Sequence, residues 1–494
     1  MPAVRPTPAA PLSRRRLLAL PAAAAAATMT APLFSPDAAV AGTYASRNLV
    51  DRSLAGPVTR AYRYLDVVQD AYVKGGEPRL LQSYNNESGL MTSAFVYDNA
   101  LAVLAYLANP TVANVRRARL VGDALLWVQA NDETFSDGRV RQAYAAGPML
   151  FYGGGPYFPG LKRADGKASV LYPFGFGGSS TGDQAWTALA LAQLYVDTRI
   201  TKYLDGAVAL GRWIAERSSP YRYGGYHGGL QSDGVTAQRW TATEHNIDAY
   251  ALFALLAKLT RDRRWGARAA VAADFVRAMW NPAQGHFWTG TLGGNPGEDP
   301  NQINTGNIAE DTQTWALLGL GERCHDEAVD WAVEHLWNTD GGVGSQLPPG
   351  VKISGLAFST EAKKATGTVP NSDLPNNPRA VWLEGNGHAA LALLKRGRPG
   401  DAVLARRLLH ETVVAQEQLG GGQTVGLTAD PESGRLSNPG EGGTWTGTAL
   451  PEQSGIVAAS SAFDTGFLFG YFQRQHVGAT SWFVMAAQGF NPFR

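Results

Sequence analysis

Five times along this chain an acidic residue is followed within two positions by a side-chain amide and then by a run of small and large apolar residues. The copies begin Asp98-Asn99, Asp183-Gln184, Glu244-His245-Asn246, Asp311-Thr312-Gln313 and Glu384-Gly385-Asn386. In the third copy Ile247, Tyr250, Ala251, Ala254 and Leu255 recur at helical spacing, and Thr243 is placed to cap. Each copy therefore reads as a helix with a polar first turn and an apolar body. The acids stand 85 (98 to 183), 61 (183 to 244), 67 (244 to 311) and 73 (311 to 384) residues apart. Such a period fits one helix pair plus a substantial loop.

A second kind of helix alternates with the first. Residues 58–73, 112–130, 202–216, 265–280, 322–337 and 401–419 are amphipathic and carry Arg, Lys and Glu. A helix apolar all round is buried, and an amphipathic one lies outside it. The spacing predicts an all-α chain, an (α/α)6 toroid of about six inner and six outer helices. Residues 454–472 supply the last full helix, and 480–488 form a terminal extra. Long loops rich in Gly and aromatic residues, such as 135–180 and 340–379, precede the inner helices. Loops of that length are uncommon in a compact domain unless they have a job. No run shows sustained period-two alternation, so sheet is limited to short hairpins.

With 494 residues, 45% of them hydrophobic and 17% charged, the chain can bury a large core. A net charge of +1 gives no attraction to nucleic acid or an acidic membrane surface. Ser13-Arg14-Arg15-Arg16-Leu17-Leu18, the short apolar stretch after it and Ala39-Val40-Ala41 read as a twin-arginine-type signal peptide over residues 1–41. The chain is then expected to be secreted or periplasmic, with 42–494 as one domain and no membrane span after cleavage. Cys324 is the only cysteine, so no intrachain disulfide forms.

This grammar resembles that of the six-hairpin glycosidase superfamily, and the resemblance spans residues 42–494. Thr243-Glu244-His245-Asn246 looks like the Ser-Glu-Gly-Gln start around the proton-donating glutamate of family 8 glycoside hydrolases, departing from it at His245 and Asn246. The resemblance carries a proton-donor role to Glu244 alone. The ending His476-Val477-Gly478-Ala479-Thr480, with Asn491-Pro492-Phe493, is similar to the tail of uncharacterised secreted relatives. The implied activity is hydrolysis of a poly- or oligosaccharide by a Glu/Asp pair.

In such a toroid Asp98, Asp183, Glu244, Asp311 and Glu384 would ring one funnel, at helix N-termini that favour negative charge. Glycoside hydrolysis needs two carboxyl groups, one kept protonated by its surroundings. The expected catalytic set is Glu244 as acid, Asp311 or Asp98 as base or nucleophile, and Asp183 as a binder of sugar hydroxyls or a sharer of the base role. Glu384, His245, Asn246, His227, Tyr226, Trp240, Tyr97 and His388 are the expected substrate contacts. Of the other aromatics near the acids, Trp186 and Trp315 are assigned to the core and Trp382 is a further platform candidate. No cofactor is expected, and the histidines lack metal-ligand spacing. The acidic segment Glu298-Asp299-Pro300-Asn301 reads as a solvated turn rather than a calcium loop. Three other readings are open: a lyase using Tyr and His with Arg239 or Arg379 to hold a uronic acid carboxylate, an epimerase with a pair of bases among His227, His245 and His388, and a non-catalytic glycan-binding protein.

Overall fold

The computed structural model describes residues 48–85, 90–151, 155–426 and 447–494. The segment read as a signal peptide lies outside these residues. Tyr44–Arg494 clusters as one compact unit. Among the described residues no helix is long and apolar enough to cross a membrane.

Twelve α-helices are described: α1 (Ala55–Asp70), α2 (Val96–Ala108), α3 (Val112–Ala130), α4 (Thr181–Thr198), α5 (Thr201–Ala215), α6 (Thr243–Thr260), α7 (Arg263–Ala278), α8 (Glu310–Gly319), α9 (Glu327–Leu336), α10 (Leu383–Arg396), α11 (Asp401–Gln418) and α12 (Val477–Ala487). The even-numbered helices touch in the order α2, α4, α6, α8, α10, α12 and back to α2, which closes a ring. Each odd-numbered helix packs outside, paired with the inner helix before it, and α1 pairs with α12. The fold is an (α/α)6 toroid.

Inner and outer helices differ as their compositions require. Every residue of α12 is buried, as are eleven of thirteen in α2. In α1 the buried positions Val58, Ala61, Tyr62, Leu65 and Val68 make one stripe, as expected of a helix lying on a core. The strands are confined to short hairpins in the loops, such as Ser93–Phe95 antiparallel to Ala143–Ala145 and Trp337–Asp340 antiparallel to Ile353–Leu356.

Two expectations are corrected. Residues 454–472 hold no helix: they run as extended chain bridged at Trp382–Ala459 and Val457–Gln475, then turn back in a hairpin pairing Phe463–Asp464 with Gly470–Tyr471. Gly466 and Leu468 there adopt positive φ of 79° and 69°, which a helix cannot accommodate. The terminal helix is no extra, because α12 is the sixth inner member and its pairing with α1 closes the ring.

Candidate active site

The repeated amides explain how the helix starts are positioned. In each of the five copies the amide grips the backbone of one or two residues in a neighbouring loop. Asn99 accepts from Leu81 N at 2.8 Å and donates to Leu81 O at 3.1 Å. Gln184 does the same to Val140 at 2.9 and 3.0 Å, and Gln313 to Phe287 at 2.8 and 2.9 Å. Asn246 accepts from Tyr226 N at 2.9 Å and donates to Tyr226 O and Ala242 O at 3.1 and 2.8 Å. Asn386 accepts from Leu356 N and donates to Ser354 O. At the sixth helix Thr480 Oγ1 accepts from Ile456 N at 2.9 Å. A buried backbone segment must find partners for its N–H and C=O, and these side chains supply them.

Asn246 is therefore no substrate contact: it is fully buried and its amide is used on the loop. Tyr226 is corrected with it. Its ring packs on Phe253 and its hydroxyl donates to Arg268 O, inside the wall of the toroid. Thr243 does not cap either; it is the first helical residue and donates to Trp288 O.

With the amides turned outward, the acids turn inward. Among the five inner helices that start with an acid, only α4 has a side-chain cap: Ser180 Oγ accepts from Asp183 N and donates to the Asp183 carboxylate. The starts of α2, α6, α8 and α10 have none. Their acids interact with one another instead. Burial raises the Glu244 pKa well above the usual carboxylate range, and the negative charges of Asp311, Asp183 and Glu384 add to it. Asp183 is pushed up to about 7 by burial, with the Asp98 charge contributing. Asp311 also rises to about 7, through burial and the adjacent Glu310. Contacts between the first two turns place the N-termini of α2, α4, α6, α8 and α10 at one mouth: Tyr97 meets Glu384 and Trp186, His388 meets Glu310, and Gly182 lies against His245. Glu244 is half-buried, whereas Asp98, Glu310 and Glu384 are closed off.

Two imidazoles stitch the deeper acids. His476, the N-cap residue of α12, donates from Nε2 to Asp98 Oδ1 at 3.0 Å. Its Nδ1 accepts the Ala479 N–H at 3.2 Å and lies 3.6 Å from Glu384 Oε2. Burial opposes its charge, but Asp98 and Glu384 raise its pKa. Tyr84 stacks flat on this ring at 4.1 Å. His388 reaches Glu310 Oε2 at 3.0 Å and lies 3.6 Å from Glu384 Oε1. Burial again opposes protonation, yet the two acids push His388 up to about 9. Its two partners respond oppositely. Burial keeps Glu310 raised despite the shorter contact, while for Glu384 the burial penalty is overcome by His388, His476 and Tyr97 and the pKa falls. His388 thus stands between Glu310, to which it is hydrogen-bonded, and Glu384. Tyr97 donates to Glu384 Oε1 at 2.6 Å and accepts from Trp482 Nε1 at 3.0 Å.

Of the remaining candidates, His245 lies at the mouth against Gly182, where a Cβ would come within 2.6 Å of its ring. Burial lowers its pKa to about 4, so it is neutral. Trp240 faces it, with ring centroids 5.3 Å apart. His388 is fully buried and is corrected from substrate contact to a tie between acids. His227 accepts from Gly229 N, and its pKa is lowered by burial and by the Arg217 charge, on the outer side of α4. Trp186, Trp315 and Trp382 are buried. Arg239 contacts Tyr221 in an exposed loop, and Arg379 is exposed beside Gly342. The partners of the site's deeper acids are His388 and His476; among the described residues no Arg or Lys pairs with its acids.

Four residues at the site carried no assignment from sequence. Asp248 lies one turn beyond Glu244, and Glu310 sits next to Asp311. His476 occupies the sixth helix start. Tyr471 comes from the 463–471 hairpin, and its pKa is raised by burial, Glu384 and Asp98. Spacing alone reaches the first two; the others depend on the ring closing.

The acidic turn keeps its carboxylates occupied: Glu298 accepts from Gly293 N and Asn295 N, and Asp299 from Asn301 N. Among the described residues, Glu322, Cys324 and His325 are close enough to share an ion. They follow the C-terminus of α8, at the opposite end of the helix from the acids, and Arg277 already holds Glu322 at 2.6 Å.

No protein-family model and no curated protein matches the sequence. Solved structures do match. A family 76 glycoside hydrolase from a bovine Bacteroides thetaiotaomicron strain aligns at 11% identity and a TM-score of 0.51, over 87% of this chain and 77% of that one. A D-mannose isomerase aligns at 11% identity and 0.50, over 89% and 97%. The cellobiose 2-epimerase of Spirochaeta thermophila aligns at 12% and 0.50, over 88% and 97%. At such identities the likeness establishes the fold, an (α/α)6 toroid, and leaves the chemistry to the residues.

Proposed function

We propose that this protein is a glycoside hydrolase acting on a neutral poly- or oligosaccharide. Glu244 is the proton donor and Asp311 the base or nucleophile, with Asp183 beside them. One observation carries the reading: a half-buried glutamate whose pKa is raised by burial and neighbouring charge stands at a mouth ringed by further carboxylates. A general acid must keep its proton at working pH, and this setting makes it do so. Glu384, held ionised by His388, His476 and Tyr97, supplies negative charge that favours an oxocarbenium-like transition state. No Arg or Lys pairs with these acids to hold a uronic acid carboxylate, which argues against a lyase. On the basis of the Arg-Arg-Arg segment at 14–16, we propose that the protein acts after export.

Sugar epimerisation is the second reading, favoured by the neutral His245, whose Nδ1 has no hydrogen-bond partner and which sits at the mouth. His388 and His476 fit it poorly, because the first is sealed in and the second has both nitrogens engaged. The two chemistries leave different marks. In D2O, an epimerase incorporates deuterium at the sugar carbon it inverts, and a hydrolase releases new reducing ends. New reducing ends from a panel of neutral glycans, without carbon-bound deuterium, support hydrolysis. Deuterium uptake with no chain shortening overturns it.

A further inference from the structure

One acid at this site has no part in the chemistry above. Asp248 lies four residues after Glu244 in α6, so both side chains project from the same face, Asp248 one turn deeper. It is completely buried, and neither carboxyl oxygen has a hydrogen-bond donor within bonding geometry. The Trp186 indole, itself buried with its N–H unmatched, is the polar group beside it. The charged groups facing it are Glu244 on its own helix, Asp311 from α8 and Asp183 from α4. All are acids.

A buried carboxylate needs donors or a cation, and a carboxyl with neither keeps its proton. Two carboxyls one turn apart, one sealed and the other at the mouth, resist ionising together; they titrate as a unit. We propose that Glu244 and Asp248 form a carboxyl pair holding a proton in common, and that Asp248 is the positioning residue that sets the pH range over which Glu244 can donate it. The inference rests on Glu244 being the proton donor, and it deepens that role. The direction of the shifts agrees with it, since burial raises both groups and the charge of Glu244 raises Asp248 further. It accounts for an acid in the middle of an otherwise apolar helix, where a structural role would call for a partner.

Infrared titration of protonated carboxyl groups tests the pair without any substrate. The probe is the exported chain itself, as parent, Asp248→Asn and Glu244→Gln, with the carboxyl band followed from pH 4 to pH 9. The parent is expected to keep a protonated carboxyl band at neutral pH. In Asp248→Asn the remaining band should titrate lower by about one pH unit or more, and in Glu244→Gln the Asp248 band should move reciprocally. If both variants keep the parent titration of the surviving group, the pair does not exist. Glu244→Gln serves as the second reading should Asp248→Asn fold poorly. On any glycan the parent cleaves, Asp248→Asn should move the alkaline limb of kcat/KM to lower pH with KM unchanged; an unmoved limb overturns the positioning role. An intact titration coupling with no cleavage of any glycan would refute the hydrolase reading and leave the pair standing.

Discussion

Replacing Asn246 by Leu separates a residue that holds the toroid together from one that touches substrate. The amide makes three hydrogen bonds, to Tyr226 N, Tyr226 O and Ala242 O, all between 2.8 and 3.1 Å. Leucine has the same branched shape and number of side-chain heavy atoms and is bulkier, so no cavity is left, but the Tyr226 N–H and C=O are left buried beside it. Each unmatched buried polar group costs about 1–3 kcal/mol, set against the small net gain of the bonds themselves. Ala242 O still accepts the helical N–H of Asn246 itself, at 3.3 Å, and suffers less. The sum is a loss of about 3–5 kcal/mol, a large share of the stability of an ordinary domain. Urea unfolding followed by tryptophan fluorescence reads it as a lower midpoint. A midpoint within about 0.5 kcal/mol of the parent, the range of an ordinary surface change, would refute the claim that the repeated amides anchor the loops.

Three other perturbations follow from the same geometry. His388→Gln should destabilise at neutral pH by about 3 kcal/mol, the scale of a rise from 6.5 to about 9; because that pKa is raised, the stabilisation is present below pH 6.5 and lost as pH climbs through 9, so parent and variant melting curves should converge between pH 7 and 10, and a constant gap contradicts the assignment. Gly478→Ala places a Cβ 2.6 Å from Asp98 Oδ1 and 2.9 Å from Glu384 Oε2; overpacking of about 1–3 kcal/mol should outweigh the helix-propensity gain of about 1 kcal/mol, and a higher melting temperature would show that the site is looser than described. Arg141→Leu leaves Asp132 without the guanidinium that holds it at 2.5 Å in a fully buried pair; a loss of about 3–5 kcal/mol is expected, and an unchanged unfolding midpoint would count against it.

Much of this was legible because the inner helices repeat their opening. An acid and an amide ahead of an apolar run marked α2, α4, α6, α8 and α10, and the amphipathic runs between them marked their outer partners. The sixth inner helix broke the rule. Where an acid would stand, α12 has Gly478, whose missing side chain makes room for Asp98 and Glu384, and its polar contribution is the imidazole of His476. Residues 454–472 are apolar enough to suggest a helix, yet they are buried as extended chain under the rim, and burial does not distinguish the two by composition. The amides were visible but their direction was not. Asn246 follows Glu244 by two positions, about 200° around the helix, which turns it from the funnel to the wall. Asp248 lay hidden for the opposite reason, as a second acid in the same line as the first. Tyr84 and Tyr471 come from loops far apart in the chain, and only closure of the ring sets them beside His476 and Glu384.

The central claim is that a protonated Glu244 works at a mouth of converging carboxylates. Glu244→Gln keeps the shape of the side chain and removes its transferable proton, so the parent and this variant should be compared on a panel of neutral glycans for released reducing ends. Cleavage by the parent is expected, with a rate at least ~100-fold lower in the variant and a melting temperature equal to or above the parent's, because a crowded, half-buried acid has been relieved. Parent-like turnover by Glu244→Gln would contradict it.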